Sequence, residues 1–277
     1  MKRPEGSILE KKEKIWVILL VYLLGFIYFF PILYMFLTGL KSEMHVVPPS
    51  LIFRPTLENF QTVLQGGILS HLGNSVLVTF SVALISLLFG IPASYSLVYG
   101  KLKKPDGLFF WFVTTNLLPA VGVILPLFLL FKNLHLLDTL LGLVIVYAGV
   151  NIPLVIWMVN SFFKDVPTDI IEAAEIDGCS KFYGFFKIIM PLTRTGIMSA
   201  ALLVIIFVWN EFFFAVNLTY AKSGTIPVYM ASFMTQEGLF WAKLSAISTV
   251  SVLPPVILGW ITQKSMIKGL TMGAVKG

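Results

Sequence analysis

Charge is the first thing this chain lacks. Only 12% of its 277 residues are Asp, Glu, Lys or Arg, against about a quarter in soluble domains. Six runs, 15–40, 72–100, 107–131, 139–163, 195–221 and 244–263, contain a single charged residue between them, Glu211. A helix needs about 20 apolar residues to cross roughly 30 Å of hydrocarbon, so these runs exclude an ordinary soluble domain. Cysteine is almost absent too. Cys179 alone excludes a disulfide within the chain, and with the scattered His45, His71 and His135 it cannot assemble a zinc site. No segment of about 10 residues alternates in polarity as a barrel strand would. The phosphate-loop pattern G-x-x-x-x-G-K-[ST] is missing, since Gly100-Lys101 is followed by Leu102; ATP is therefore not expected to bind here in the usual way. An internal repeat and further intramembrane ionisable groups are missing as well, which argues against a self-sufficient secondary transporter. A membrane-embedded enzyme would need a polar catalytic constellation, and one intramembrane acid does not make one.

The runs that are present predict an all-α integral membrane protein with six transmembrane helices. The first run is too long for a signal-peptide core, and no A-x-A-like site follows it, so it is expected to remain as a span. With both termini placed inside, 15 of the 20 Lys and Arg residues fall on inner segments and 5 on outer ones. That bias predicts cytoplasmic termini, a multi-pass protein of the cell membrane, and no role for the +6 net charge in nucleic-acid binding. The expected organisation is a tail at 1–14, a permease-like membrane domain at 15–263 and a second tail at 264–277. Pro31, Pro92, Pro119, Pro126, Pro153 and the pair Pro254-Pro255 lie inside the runs. Each removes a backbone hydrogen bond and kinks its helix.

The polar loop 164–194, predicted to be cytoplasmic, is the most informative stretch. Pro167 suits a first helical turn. Asp169 and Glu172 place negative charge at the positive end of that helix. Gly178 ends it, Ser180 caps a second helix from Lys181 to Ile189, and Pro191 stops that one. The result is a helix–turn–helix. Small Ala173 and Ala174 let another backbone approach, and Phe182, Phe185 and Phe186 offer an apolar side. Either the chain's own spans or a partner covers that side.

Glu172-Ala173-Ala174, then Asp177-Gly178, then Phe186, Ile189 and Pro191-Leu192, resembles the EAA loop of bacterial ATP-binding-cassette importer permeases. Other segments resemble the carbohydrate-uptake, maltose-type branch of that family. They are Pro55-Thr56-Leu57-Glu58-Asn59-Phe60, Asn74-Ser75, Trp209-Asn210-Glu211-Phe212, and the C-terminal run from Gly269 to Gly277. Two departures are Cys179, where Ala is usual, and Thr195, where Pro often follows. The resemblance implies a permease subunit that is not itself an enzyme. It implies ATPase coupling through Glu172, Ala173, Ala174, Asp177, Gly178, Phe186 and Pro191, and ATPase contact through Gly269, Leu270, Thr271, Gly273 and Lys276. Implied partners are a second homologous permease, an ATP-binding ATPase dimer and an extracytoplasmic solute-binding protein, with a sugar as substrate; another solute is the alternative. No cofactor is implied.

Glu211 is the acidic residue within a span. A charge at the bilayer centre costs about 2.5–3.5 kcal/mol on insertion scales, so it should face protein or water. With Trp209 and Asn210 it either lines the solute path or fixes helix packing.

Overall fold

The computed structural model describes residues 8–235 and 238–274. They are helical almost throughout. In chain order come α1 (Ile8–Gly39), α2 (Glu58–Gln65), α3 (Ile68–Tyr99), α4 (Pro105–Thr115), α5 (Ala120–Asn133) and α6 (Leu140–Lys164). The polar loop supplies α7 (Thr168–Ile176) and α8 (Lys181–Leu192). After it come α9 (Arg194–Trp209), α10 (Phe213–Leu218), α11 (Ile226–Ala231) and α12 (Trp241–Ala274). Among the described residues the strands are two short ones, β1 (Met234–Thr235) and β2 (Gly238–Leu239), paired antiparallel.

Four segments are long and apolar enough to cross a bilayer: Ile15–Gly39 of α1, α3, α6 and Trp241–Ile261 of α12. Two more runs are bent pairs. α4 and α5 meet at 86°, and α8 and α9 at 76°. The run 107–131 is thus broken rather than continuous. Pro119 explains the break: its ring disfavours helix for the preceding residue, and it enters α5 from an extended conformation. The run 195–221 is broken as well, because α9 stops at Trp209. The Asn210 amide donates back to the Ile206 carbonyl at 2.8 Å, a side-chain bond that competes with helix continuation.

The described residues divide into two compact units. One comprises the chain up to Gly66 with Phe233–Val250. Within it Asn59 is buried, and its Nδ2 donates to the carbonyls of Gly39 (2.9 Å) and Lys41 (2.6 Å). Those are orphan acceptors at the end of α1, which every helix terminus leaves behind. Glu43 serves the start of α12 in the same way, accepting from the backbone N–H of Ala242 (3.0 Å) and Lys243 (3.4 Å). Lys41 is fully buried, with Nζ donating to the Ser50 carbonyl at 2.6 Å.

The second unit comprises Gly67–Ser232 and the part of α12 from Ser251 onward. Its core is α3 packed along α6, with α9 against both. Gly90 permits the first contact, since a Cβ there would lie 2.6 Å from Val155 Cγ1. Gly196 permits another, beside the Phe162 ring. Val82, Val155, Val159, Phe163 and Val204 are fully buried there.

Candidate functional site

The polar loop is capped as its sequence predicts. Ile170 N–H donates to the Pro167 carbonyl (3.3 Å), and α7 starts at Thr168. At its end Gly178 adopts φ +80°, a left-handed position that glycine takes at low cost. Cys179 N–H then reaches back to the Ala174 carbonyl at 2.9 Å, the six-to-one bond of a Schellman stop. Ser180 Oγ accepts from Tyr183 N–H at 3.2 Å and opens α8.

The second helix departs from expectation. It does not stop at Ile189 but continues through Pro191 to Leu192. It achieves this by widening into a π-helical turn over Phe185–Ile189, where Met190 N–H bonds to the Phe185 carbonyl. Pro191 has no N–H to give and its ring crowds the preceding turn; a widened turn is one way a helix accommodates such a residue.

Burial divides the predicted coupling residues into two sets. Glu172, Ala173, Asp177 and Gly178 are exposed, as is Pro191. Ala174 faces inward at 8% exposure, beside Tyr95 and Ile171. Phe185 is buried, with its ring 4.8 Å from Tyr95 and inclined to it by 65°. Tyr95 in turn meets Phe163 edge-on at 6.3 Å, and Tyr99 Oη donates to the Phe163 carbonyl. The element is therefore seated on the ends of α3 and α6 through Phe185, while Phe182 and Phe186, 4.6 Å apart, stay exposed.

Glu211 lies in the break between α9 and α10, not on a continuous helix. Its carboxylate accepts from three donors: the Tyr147 hydroxyl, Phe214 N–H (2.9 Å) and Ala215 N–H (3.3 Å). It thereby satisfies the first turn of α10 and ties it to α6. Tyr147 is 1% exposed and was not singled out from sequence; no local signal marks it among the other aromatics. Asn151, one turn on, donates to the Tyr147 carbonyl at 2.8 Å. Trp209 is buried, and its Nε1 donates to the Ser251 carbonyl at 3.2 Å. Pro255 cannot supply the usual helical donor to that carbonyl, so the indole replaces it. Asn210 is exposed.

A second polar arrangement occupies the other end of α6. Asp138, in the link before α6, accepts from the backbone N–H groups of Tyr220 (3.2 Å), Ala221 (3.2 Å), Lys222 (3.1 Å) and Ser223 (3.1 Å), and from the Ser223 hydroxyl (3.0 Å). Burial pushes its carboxyl up, but these bonds outweigh it and hold the pKa below the usual carboxylate value. Asn74 Nδ2 donates to the carbonyls of Lys222 (3.1 Å) and Gly224 (3.0 Å), and Ser75 Oγ accepts from Ile226 N–H (2.8 Å). The Asn74-Ser75 pair was legible as a motif; Asp138 was not.

In the predicted ATPase-contact tail, Gly269, Leu270, Thr271 and Gly273 lie on the backbone of α12, which runs to Ala274. Lys276 lies outside the described residues.

Several helices of membrane-crossing length, two bent pairs and a capped polar loop seated on the bundle define a multi-pass membrane protein of the transporter type. The family model described as "binding-protein-dependent transport system inner membrane component" matches residues 86–266. A probable ABC transporter permease protein of Sinorhizobium fredii is 37% identical over 91% of this chain and 92% of its own length. The trehalose transport system permease protein of Mycobacterium tuberculosis is 30% identical, covering 96% of this chain and 99% of its own. A chain from the crystal structure of a bacterial ABC transporter involved in the import of alginate superposes with a TM-score of 0.72 at 24% identity, over 95% of this chain and 99% of that one. The chain belongs to the family of binding-protein-dependent transport system inner membrane components.

Proposed function

We propose that this chain is one of two permease subunits of an ATP-driven sugar importer, working by alternating access in a bacterial or archaeal cell membrane. Six spans follow when α4 with α5 counts as one and α9 with α10 as another, beside α1, α3, α6 and α12, with both termini in the cytoplasm and tails at 1–14 and 264–277 flanking the permease domain at 15–263. The loop 164–194 is then the cytoplasmic EAA-type coupling element. An ATPase dimer grips Glu172, Ala173, Asp177, Gly178 and Phe186, and Ala174 and Pro191 set the shape of the element. The α12 end, with Gly269, Leu270, Thr271, Gly273 and Lys276, reaches toward the same ATPase. A solute-binding protein delivers the sugar from outside. Trp209 and Glu211 hold the bundle together, and Asn210 is left to the pathway. The sugar assignment rests on relatives such as the trehalose permease; a non-sugar solute of the same importer class is the alternative.

One observation carries this reading. The loop offers Glu172, Ala173 and Asp177 outward while Phe185 inserts beside Tyr95 at the ends of the long helices. A pull on the exposed residues therefore reaches α3 and α6 through packed rings. The test is Glu172→Lys. The variant should insert in the membrane at wild-type level yet lose about tenfold or more of the co-purifying P-loop ATPase, because an exposed contact reverses sign at an interface. Full ATPase recovery together with normal uptake would remove the coupling assignment.

A further inference from the structure

The loop between α1 and α2 is folded the reverse of a water-facing segment. Its cation is inside. Lys41 is fully buried, and its Nζ donates to the Ser50 carbonyl (2.6 Å) and the Tyr34 hydroxyl (3.5 Å). The same ammonium lies over the Tyr34 and Phe53 rings, 4.8 and 5.2 Å from their centroids. Lysine is rarely buried, because taking its charge out of water is costly. The apolar side chains of this loop point the other way. Met44 and Ile52 are 88% and 94% exposed, and Val47 and Leu51 are exposed as well.

Backbone bonds fix this arrangement. Thr56 N–H donates to the Leu40 carbonyl at 2.8 Å and closes the loop onto the end of α1, while Ser50 Oγ donates to the Ile52 carbonyl at 2.7 Å. Charge is kept off the outward face. From Met44 to Phe53 the one titratable side chain is His45. Glu43, just before it, is committed to the N–H groups of Ala242 and Lys243. Arg54 stands exposed at the edge of the face. Depth is set by α1. Its apolar part, Ile15–Gly39, has 25 residues, about 37 Å of helix at 1.5 Å per residue. That exceeds the roughly 30 Å of hydrocarbon, so the chain leaves α1 at headgroup level. The hydrophobic window of α1 has no buried residue, so an uncovered apolar surface runs from the span into the loop. Apolar faces flanked by cations sink into the boundary between headgroups and acyl chains, and a guanidinium pairs well with phosphate.

We propose that the segment Met44–Ile52 is an interfacial membrane anchor. Met44, Val47, Leu51 and Ile52 enter the headgroup–acyl boundary, and Arg54 meets lipid phosphate. Lys41 makes this possible by holding its charge inside the loop, against a carbonyl and two ring faces, so that the outward face is apolar. A protein occupant would have to bring a matching apolar surface; the bilayer already supplies one at this depth. The orientation proposed above makes the leaflet the outer one. The lipid contact itself does not depend on the importer reading.

The experiment replaces Ile52 and, separately, Met44 with the photoreactive residue p-benzoylphenylalanine in the full chain. The chain is assembled with its co-purifying subunits in liposomes of phosphatidylethanolamine and phosphatidylglycerol, then irradiated. Mass spectrometry reads what is attached to the peptide that carries the probe. At each position phospholipid adducts should exceed polypeptide adducts by about tenfold, as an apolar face within the boundary requires. The lipid yield should stay within about twofold when the purified solute-binding protein of the same system is added, since a face held in lipid is closed to a soluble protein. Ile52→Asp should lower the lipid adducts formed from position 44 by about fivefold, because a carboxylate is expensive at that depth. Polypeptide adducts that outnumber lipid adducts, or a lipid yield that collapses when the binding protein is added, would assign this face to a protein and overturn the proposal. Absence of lipid adducts at both positions would make it a water-facing loop and overturn it equally. Lipid adducts in a complex that recruits no ATPase would support the anchor while removing the importer reading, so the two failures are separable.

Discussion

At the scale of single residues, two carboxylates organise this molecule, and each does so by accepting backbone N–H groups. Glu211 joins α6 to α10 by taking the Tyr147 hydroxyl and two amides. Truncation to Ala leaves these donors buried without acceptors, at about 1–3 kcal/mol for an orphaned group. Glu211→Ala should therefore lower the thermal midpoint of the purified protein clearly. Glu211→Gln keeps one acceptor oxygen and should lower it less, with uptake retained; loss of uptake at unchanged midpoint would instead place Glu211 on the solute path. Asp138 makes a pH-dependent contribution. Its folded-state pKa is depressed, so its stabilisation is complete above the unfolded value of about 3.9 and is lost as pH falls through the folded pKa. The midpoint difference between wild type and Asp138→Asn should be constant from about pH 8 to about pH 5 and shrink below about pH 4. A difference that grows on acidification would contradict the depressed pKa.

At the scale of elements, glycine decides how close the helices come. α3 and α6 touch where Gly90 faces Val155, with no room for a methyl group. Gly90→Val should cost about 1–3 kcal/mol, the usual range for overpacking, seen as a lower unfolding midpoint in detergent. The double variant with Val155→Ala should recover part of the loss, because it removes the atoms that clash. The helix ends and turns of the polar loop were legible from Pro167, Gly178 and Ser180, since capping is decided by a few neighbouring residues. The π-helical turn before Pro191 was not legible. Whether a proline ends a helix or widens it depends on what holds the flanking turns, here Phe185 and Ile189 buried in the bundle.

At the scale of the whole molecule, the apolar surface exceeds what one chain can cover. Among the described residues none of the hydrophobic window of α1 is buried, and Trp16 and Tyr28 are 72% and 80% exposed. A surface of that kind is suited to lipid or to another apolar protein surface. The Glu172→Lys experiment belongs to this scale, since it asks whether the exposed side of the loop is an interface rather than a solvated turn. A loop anchored by Phe185 and open at Glu172 has one side on its own bundle and one left exposed, and the variant touches the second alone.

The sequence by itself determined which segments are apolar enough to cross a membrane, where the polar loop lies, how its helices begin and turn, and which family it resembles. Hydropathy and capping are local properties, written within a few turns of chain. The tertiary structure alone decided that Glu211 pairs with a tyrosine 64 residues away, that Asn74 grips a carbonyl 150 residues on, that Phe185 rather than Phe186 faces the core, and that two apolar runs break. These outcomes depend on which polar groups find partners across the bundle. Donors and acceptors deprived of water must be matched in three dimensions, and no spacing along the chain specifies that match.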